Sequence, residues 1–102
     1  MNGVQHQITA EEALSRRDII KKLQVIPGIG SSIAGDLYNI GIRRVGDLKG
    51  KNPETLFRQS NRLAGVTQDR CLLYTFRCAV YFAETPDPDI KKLKWWYWKD
   101  HK

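Results

Sequence analysis

Apolar residues recur at helical spacing along most of the chain and divide it into short amphipathic segments. The first predicted helix covers about residues 10–25, with a capping-box pattern at its start and a polar stretch at 15–18 that could divide it in two. The second covers about residues 31–39 and ends at Gly41, a residue suited to a left-handed stop. The inward positions predicted for these two helices are Leu14, Ile19, Ile20, Leu23, Ile33, Ala34, Leu37 and Ile40.

Two further helices are predicted in the second half of the chain. After a short turn at residues 45–48, the sequence Asn-Pro-Glu at 52–54 supplies an N-cap, a first-turn proline and an early acid. Gly65 ends this third helix, and the fourth begins at Thr67 or Gln68 and continues to about residue 83. Their predicted inward residues are Leu56, Phe57, Leu63 and Ala64, and then Leu72, Leu73, Phe76, Ala79, Val80 and Ala83.

The turn between the first two helices has the most informative pattern in the chain. Residues 26–30 read Ile-Pro-Gly-Ile-Gly and resemble a helix-hairpin-helix element. Pro27 ends one helix, Gly28 and Gly30 allow backbone conformations that a Cβ disfavours, and Gly30 or Ser31 caps the next helix. The exposed amides at the positive end of a helix dipole would bind a phosphate without reading a base. The alternative is a tight turn that only seats Ile29 in the core.

A weaker copy of this pattern follows, because residues 63–67 again join two predicted helices. Thr67 stands where the second glycine would be and no proline precedes Gly65, so we interpret this copy as mainly structural. The predicted fold is all-α, a compact four-to-five-helix domain of doubled helix-hairpin-helix type with a degenerate second hairpin. We expect a disordered tail at 1–8 and one domain at 9–102, with hairpins at 23–42 and 53–84 and a basic, Trp-rich tail at 86–102 packed on it.

Charge and cysteine content narrow the possible partners. The 102 residues contain 17 Lys and Arg against 11 Asp and Glu, a net charge of +6 that favours a polyanionic partner. The two cysteines, Cys71 and Cys78, lie seven apart on a predicted helix, too far for a disulfide, and are expected to be buried thiols in a reducing cytosol. No zinc-ligand spacing, membrane span or signal peptide is evident, so we expect a cytoplasmic protein.

Candidate DNA ligands follow from the hairpin. In helix-hairpin-helix proteins the amides across the hairpin contact phosphate, and a loop carbonyl can bind a monovalent cation, the one cofactor that this pattern suggests. The matching phosphate-binding positions are the amides of Gly28, Gly30, Ser31 and Ser32, with Arg43 and Arg44 as flanking ligands. A solvated loop is the alternative for the arginine pair, and one of them could instead pair with Asp47.

The aromatic run at 95–98 permits two interpretations. Aromatic rings between lysines can stack on unpaired bases, or they can fold back and enlarge a small core. We favour the second, with Leu93, Trp95 and Trp98 facing inward. Consecutive side chains cannot all point the same way, so Trp96 is expected at the surface as the candidate for base stacking.

Residues 23–100 resemble the small bacterial pathogenicity-locus family of helix-hairpin-helix proteins. The resemblance rests on the hairpin and, more specifically, on the ending Leu-Lys-Trp-Trp-Tyr-Trp-Lys-Asp at 93–100. Further matching positions are Ala34, Asp36, Leu37, Gly41, Ile42, Asp47, Leu48, Gln68, Asp69, Phe76, Arg77 and residues 79–83. It implies a compact helical DNA-binding protein and supplies no catalytic residue.

Two functions therefore remain open. The first is DNA binding through backbone contacts that do not depend on sequence, in repair or recombination; the alternative is a protein–protein interaction module of a larger assembly. We do not expect an enzyme. Base-excision glycosylases place an acid beyond such a hairpin in a domain about twice this size. Asp36 and Asp47 do not lie where that chemistry needs an acid, and no nucleophile–base pair is evident elsewhere.

Overall fold

The computed structural model describes residues 15–100, and this part of the chain contains four α-helices and no strand. The predicted tail at 1–8 and the predicted helical residues before Ser15 lie outside the described residues. Three short 3-10 turns complete the fold. The helices are α1 (Arg16–Leu23), α2 (Ser31–Asn39), α3 (Pro53–Ala64) and α4 (Arg70–Glu84), and the 3-10 turns are Val45–Leu48, Ile90–Leu93 and Trp95–Trp98.

Helix α1 begins at Arg16, and Ser15 is its N-cap. The Ser15 backbone is extended, and its hydroxyl accepts a hydrogen bond from the Asp18 amide at 3.1 Å. A continuous helix from residue 10 to 25 is therefore wrong, because the backbone is extended at Ser15, inside the polar stretch at 15–18 where a break was the alternative. The helix also ends at Leu23, before the predicted end, because the amides of Gln24 and Val25 bond to carbonyls three residues back.

Helix α2 has the predicted bounds, and Gly41 follows it with a φ of 98°. Helix α3 begins as predicted at the Asn52 cap, whose side chain accepts from the Glu54 amide at 2.8 Å. It ends at Gly65, where φ is 76°. The inward placement of Leu63 and Ala64 is wrong, since both are exposed in the last turn of α3.

Helix α4 begins at Arg70, two or three residues later than the predicted start at Thr67 or Gln68. Asp69 is the N-cap, and its carboxylate accepts from the Cys71 amide at 2.8 Å. Gln68 lies outside the helix, because its backbone and side-chain nitrogens bond to Asn61 Oδ1 at 2.9 and 3.0 Å. All six inward positions predicted for this helix are buried.

One apolar core joins the helices. Leu23, Ile26, Leu37, Leu48 and Phe76 are almost completely buried in it. The two cysteines differ in burial. Cys78 is buried, and this burial raises the pKa of its thiol to about 11. The expected burial of Cys71 is wrong, because it lies in the first turn of α4 beside the exposed Asp69 cap.

The C-terminal segment at 90–100, called the tail below, lies against α4. Trp98 is half-buried, and its indole nitrogen donates to the Lys92 carbonyl at 2.8 Å. The Trp98 ring lies 5.4 Å from the Tyr81 ring of α4, and the Trp95 ring lies parallel to Tyr74 at 6.5 Å. Aromatic contacts with one face of α4 thus hold the tail against the helix.

Asp100 fixes the end of the tail. Its carboxylate accepts from the Arg70 guanidinium, with Nε at 3.0 Å, and pairs with Arg77 Nη1 at 2.9 Å. These two guanidinium groups lower the pKa of Asp100 to about 2. Arg77 Nη1 also donates to the Trp98 carbonyl at 2.7 Å. The tail is thus bound to α4 by charge as well as by aromatic packing.

No helix in the described part of the chain is long and apolar enough to cross a membrane.

Candidate functional site

Residues 24–30, called the hairpin loop below, join α1 to α2. The Ile26 amide donates to the Leu23 carbonyl at 3.2 Å, and the Ile29 amide donates to the Ile26 carbonyl at 3.1 Å. Both isoleucines are buried, at 1% and 5% exposure, and they anchor the loop to the core. The exposed Gly28 between them has a φ of 82°, a conformation that L side chains rarely adopt. This loop is therefore a rigid turn that presents its backbone outward.

The amides of Gly28, Gly30, Ser31 and Ser32 face an open surface. No acceptor within residues 15–100 binds them, and all four residues are exposed. Gly30 is the N-cap of α2 and offers no side chain to the first turn, which also lacks an acidic residue. The first bond of α2 runs from the Ala34 amide to the Gly30 carbonyl at 2.9 Å. Unpaired donors and the positive end of the helix dipole thus coincide at this point.

The expectation that Gly30 needs a glycine-only conformation is wrong. Its φ of −92° and ψ of −171° are open to any residue, and a Cβ there would meet nothing within 4 Å. Only Gly28 is restricted to glycine by its backbone. A side chain at Gly30 would project into open space beside the first-turn amides. A substitution there should therefore block access to those amides with little strain in the backbone.

The structure does not bring Arg43 to the hairpin loop. Its guanidinium donates to the Tyr38 carbonyl at 2.6 Å and lies 3.8 Å from the centre of the Tyr38 ring, in the last turn of α2. That turn is about 10 Å along the helix from the free amides at its start. Arg44 follows Arg43 in the chain, and the backbone amides of both donate to Asp47 Oδ2 at 2.9 and 3.1 Å. Asp47 therefore binds backbone amides and shapes the connector turn.

Two basic residues that sequence reasoning passed over lie closer to the hairpin loop along the chain. Lys21 and Lys22 are exposed in the last turn of α1, directly before the loop. Their carbonyls accept from the Gln24 and Val25 amides, so the loop backbone is hydrogen-bonded directly to the turn that carries them. The signal was present in the sequence as a Lys-Lys pair just before the Leu-Gln-Val-Ile-Pro run.

A groove of about 380 Å³ borders the hairpin loop at Gly28. Burial raises the pKa of the Asp36 carboxyl in this groove, and the hydrogen bond from the Cys71 backbone amide lowers the pKa of Asp69. These two carboxylates make the groove itself unfavourable for a phosphate. Its lining residues are Gly28, Ile33, Asp36, Gln68, Asp69, Cys71, Leu72, Thr75 and Trp95.

The tail borders a second and larger groove, called the aromatic groove below, of about 820 Å³. Trp96 and Tyr97 are 53% and 45% exposed, which places the Trp96 ring at the surface. Trp96 also meets Trp95 edge to face, with ring centres 5.7 Å apart. The aromatic groove is lined by Pro53, Arg77, Val80, Tyr81, Glu84, Trp96, Tyr97, Trp98 and Lys99.

No group of three or more His, Cys, Asp or Glu side chains suited to a metal ion occurs within residues 15–100. The monovalent cation expected at a loop carbonyl stays a prediction, and so does the absence of catalysis. The Leu23 carbonyl at the end of α1 and the Ile26 carbonyl in the hairpin loop already accept internal hydrogen bonds.

Fold and site define an all-helical protein with an open amide turn between two helices and an aromatic tail packed on the last helix. The chain belongs to the pathogenicity locus (Cdd1) family, whose sequence profile matches residues 16–102. The match therefore includes α1, which the resemblance drawn from the sequence left largely outside. No curated protein matches the chain, and no solved structure matches it.

Proposed function

We propose that the protein binds DNA without sequence preference, through the backbone amides of the hairpin loop and the first turn of α2. The observation that carries the proposal is the set of four amides, Gly28, Gly30, Ser31 and Ser32, that find no acceptor within residues 15–100. Hydrogen bonds from backbone amides to phosphate oxygens fix a protein on the duplex and carry no sequence information. In this proposal α1, the loop and α2 form a helix-hairpin-helix element.

Charge supports the same conclusion. Lys21 and Lys22 lie on the turn of α1 that leads into the hairpin loop, and the whole chain has a net charge of +6. Lysine side chains beside a phosphate neutralise it and release counterions, which gives binding that weakens with salt. Because one hairpin loop touches few phosphates, we expect a dissociation constant in the micromolar range or weaker, on the general scale of non-specific binding.

The turn between α3 and α4 is the degenerate second hairpin of this proposal. It differs from the first hairpin in the cap of the helix that follows it. The Asp69 carboxylate caps α4 by accepting from the Cys71 amide at 2.8 Å. A negative charge thus occupies the position that a phosphate would take. We assign DNA binding to the first hairpin and a structural role to the second. Repair or recombination in the cytoplasm is the setting that this activity would suit.

Fluorescence anisotropy with labelled duplexes tests this proposal. Two duplexes of unrelated sequence should bind with equal affinity, and log Kd should vary with log salt with a slope of about 2 to 3, for two or three neutralised phosphates. Lys21→Ala should reduce that slope by about 1. Arg58→Ala, which removes an exposed positive charge from α3, is the control and should leave it nearly unchanged. A base preference that persists at high salt, or no binding to either duplex, refutes the proposal.

A protein partner is the second candidate, favoured by one observation. Leu63 and Val66 are each 62% exposed on either side of Gly65, at the turn between α3 and α4. Exposed apolar residues of this size are typical of interaction surfaces when they lie together. If this turn binds a protein, Leu63→Ser should abolish the complex and leave the DNA affinity unchanged, as judged by anisotropy and by light scattering of the assembly.

A further inference from the structure

The rings of Trp95 and Trp96 form a ridge between two surface grooves. Trp95 lines the smaller groove together with Gly28 of the hairpin loop, and Trp96 lines the aromatic groove. The two rings are perpendicular, with centres 5.7 Å apart, so they form one continuous aromatic surface from one groove to the other. The hairpin loop and the exposed part of the tail therefore lie on neighbouring parts of one surface.

The Trp96 ring is not needed to close the core. It is 53% exposed, whereas Trp98, two positions along, is half-buried and hydrogen-bonded to the Lys92 carbonyl. Tyr97 beside it is 45% exposed. Two large aromatic side chains thus stay in water at the mouth of an 820 Å³ groove. A surface of this kind gains free energy when a flat apolar group stacks on it.

A lysine lies beside each of the two rings. Lys94 Nζ lies 5.5 Å from the centre of the Trp96 ring, and Lys99 Nζ lies 5.7 Å from that of Trp95. On the Trp95 side, the smaller groove contains the carboxylates of Asp36 and Asp69 and disfavours an anion, so an anionic ligand is expected on the Trp96 side. The carboxylates nearer to the aromatic groove and the end of the tail have partners. Asp100 pairs with Arg70 and Arg77, Glu54 pairs with Arg77, and Glu84 accepts from the Gly50 amide at 2.7 Å. The ligand that this surface suits is therefore both aromatic and anionic.

We propose that Trp96 stacks on an unpaired base of the DNA whose backbone the hairpin loop binds, with the base entering the aromatic groove. This inference rests on the proposed function and names its substrate class, a duplex that carries a short single-stranded segment. Lys94 and Lys99 would contact the phosphates on either side of the unpaired base. Stacking does not depend on base identity, since every base presents a π face.

A peptide could also bind an aromatic groove, as proline-rich segments do in other domains. The lysines beside the rings argue for the anionic ligand, because a neutral proline-rich segment has no charge for them to bind. The peptide is therefore the outcome that the experiment must separate from a nucleic acid.

The experiment measures anisotropy with three DNA probes and the full-length chain. These are a blunt duplex, the same duplex with a short thymidine overhang, and the thymidine oligonucleotide alone. The wild type should bind the overhang duplex more tightly than the blunt one. Trp96→Ala should weaken overhang binding roughly 5- to 150-fold, the range for loss of one stacked base, and should leave blunt-duplex binding within about twofold.

Two controls keep the result interpretable. Trp96→Phe retains a ring and should restore most of the overhang preference, while Ile90→Ala removes an apolar side chain that is 75% exposed on the same tail and should change nothing. Circular dichroism confirms that each variant is folded. In the wild type, the overhang should also quench tryptophan fluorescence, a readout that requires no variant.

The outcomes separate this inference from the proposed function. If the wild type binds neither duplex, the proposed function fails and this inference fails with it. If the wild type binds both duplexes equally and Trp96→Ala changes neither, the hairpin proposal stands and base stacking is refuted. Equal loss on both duplexes refutes stacking as well. So does a wild type that shows no overhang preference but binds a labelled proline-rich peptide in a parallel anisotropy measurement.

Discussion

Replacing Trp98 by alanine should destabilise the fold far more than the same change at Trp96. The half-buried Trp98 packs on Tyr81 and donates to the Lys92 carbonyl, whereas Trp96 is 53% exposed. A tryptophan in such a position buries about 150 Å² of surface, which at ~25 cal/mol/Å² stabilises the fold by at most about 4 kcal/mol. The hydrogen bond contributes about 1 kcal/mol more. Conformational entropy regained by a released tail offsets about 2 kcal/mol of the loss.

We therefore expect Trp98→Ala to cost about 3 kcal/mol, which lowers Tm by roughly 12–24 °C in a domain of this size. Trp96→Ala is the matched control, and it should cost about 1 kcal/mol or less, the value of one edge-to-face ring contact. Thermal and urea denaturation followed by circular dichroism measure both. Equal, small losses for the two variants would show that the tail does not stabilise the fold, and the reasoning on tail packing would then be refuted.

Three further predictions concern single charged residues. Asp100→Asn should be less stable than the wild type above pH ~4, and the difference should vanish as pH falls towards 2, because the pKa of Asp100 is about 2 in the fold and ~3.9 unfolded; a pH-independent difference in urea denaturation contradicts this. Arg43→Ala should cost about 1–2 kcal/mol in calorimetry through loss of its Tyr38 contacts, so an unchanged Tm contradicts it. Asp36→Asn should raise DNA affinity about two- to fivefold by anisotropy, because it removes a charge beside Gly28; weaker binding contradicts it.

Local signals predicted most of the helical boundaries. The Asn52 cap, Gly41 and Gly65 act within a few residues of the chain, so α2 and α3 begin and end where the sequence indicates. The start of α4 was predicted too early, at Thr67 or Gln68, whereas the helix begins at Arg70. Hydrogen bonds from Gln68 to Asn61 keep Gln68 outside the helix, and the Asp69 carboxylate caps α4 instead.

The arrangement of the site was harder to predict, since it depends on distances through space. The sequence placed Arg43 near the hairpin because it follows α2, but packing of the guanidinium on Tyr38 leaves it at the far end of that helix. The exposure of Leu63 also depends on tertiary packing, which the sequence pattern does not contain. Leu63 lies seven residues after the buried Leu56, on the same face of α3, yet it is 62% exposed. Helical spacing identifies a face of the helix but does not show how far along that face the core extends.

The most direct test of the central claim is DNA affinity in a graded series at Gly30. Gly30→Ala and Gly30→Val should each cost at most about 1 kcal/mol of stability, since the backbone there is unstrained and a Cβ meets nothing within 4 Å. Binding should weaken with side-chain size, at least tenfold for valine, because the side chain keeps phosphate from amides whose bonds to a charged group are worth ~1.5–3 kcal/mol each. Ser32→Ala retains the amide and should bind almost as the wild type does. Unchanged affinity for Gly30→Val would contradict phosphate binding at the hairpin.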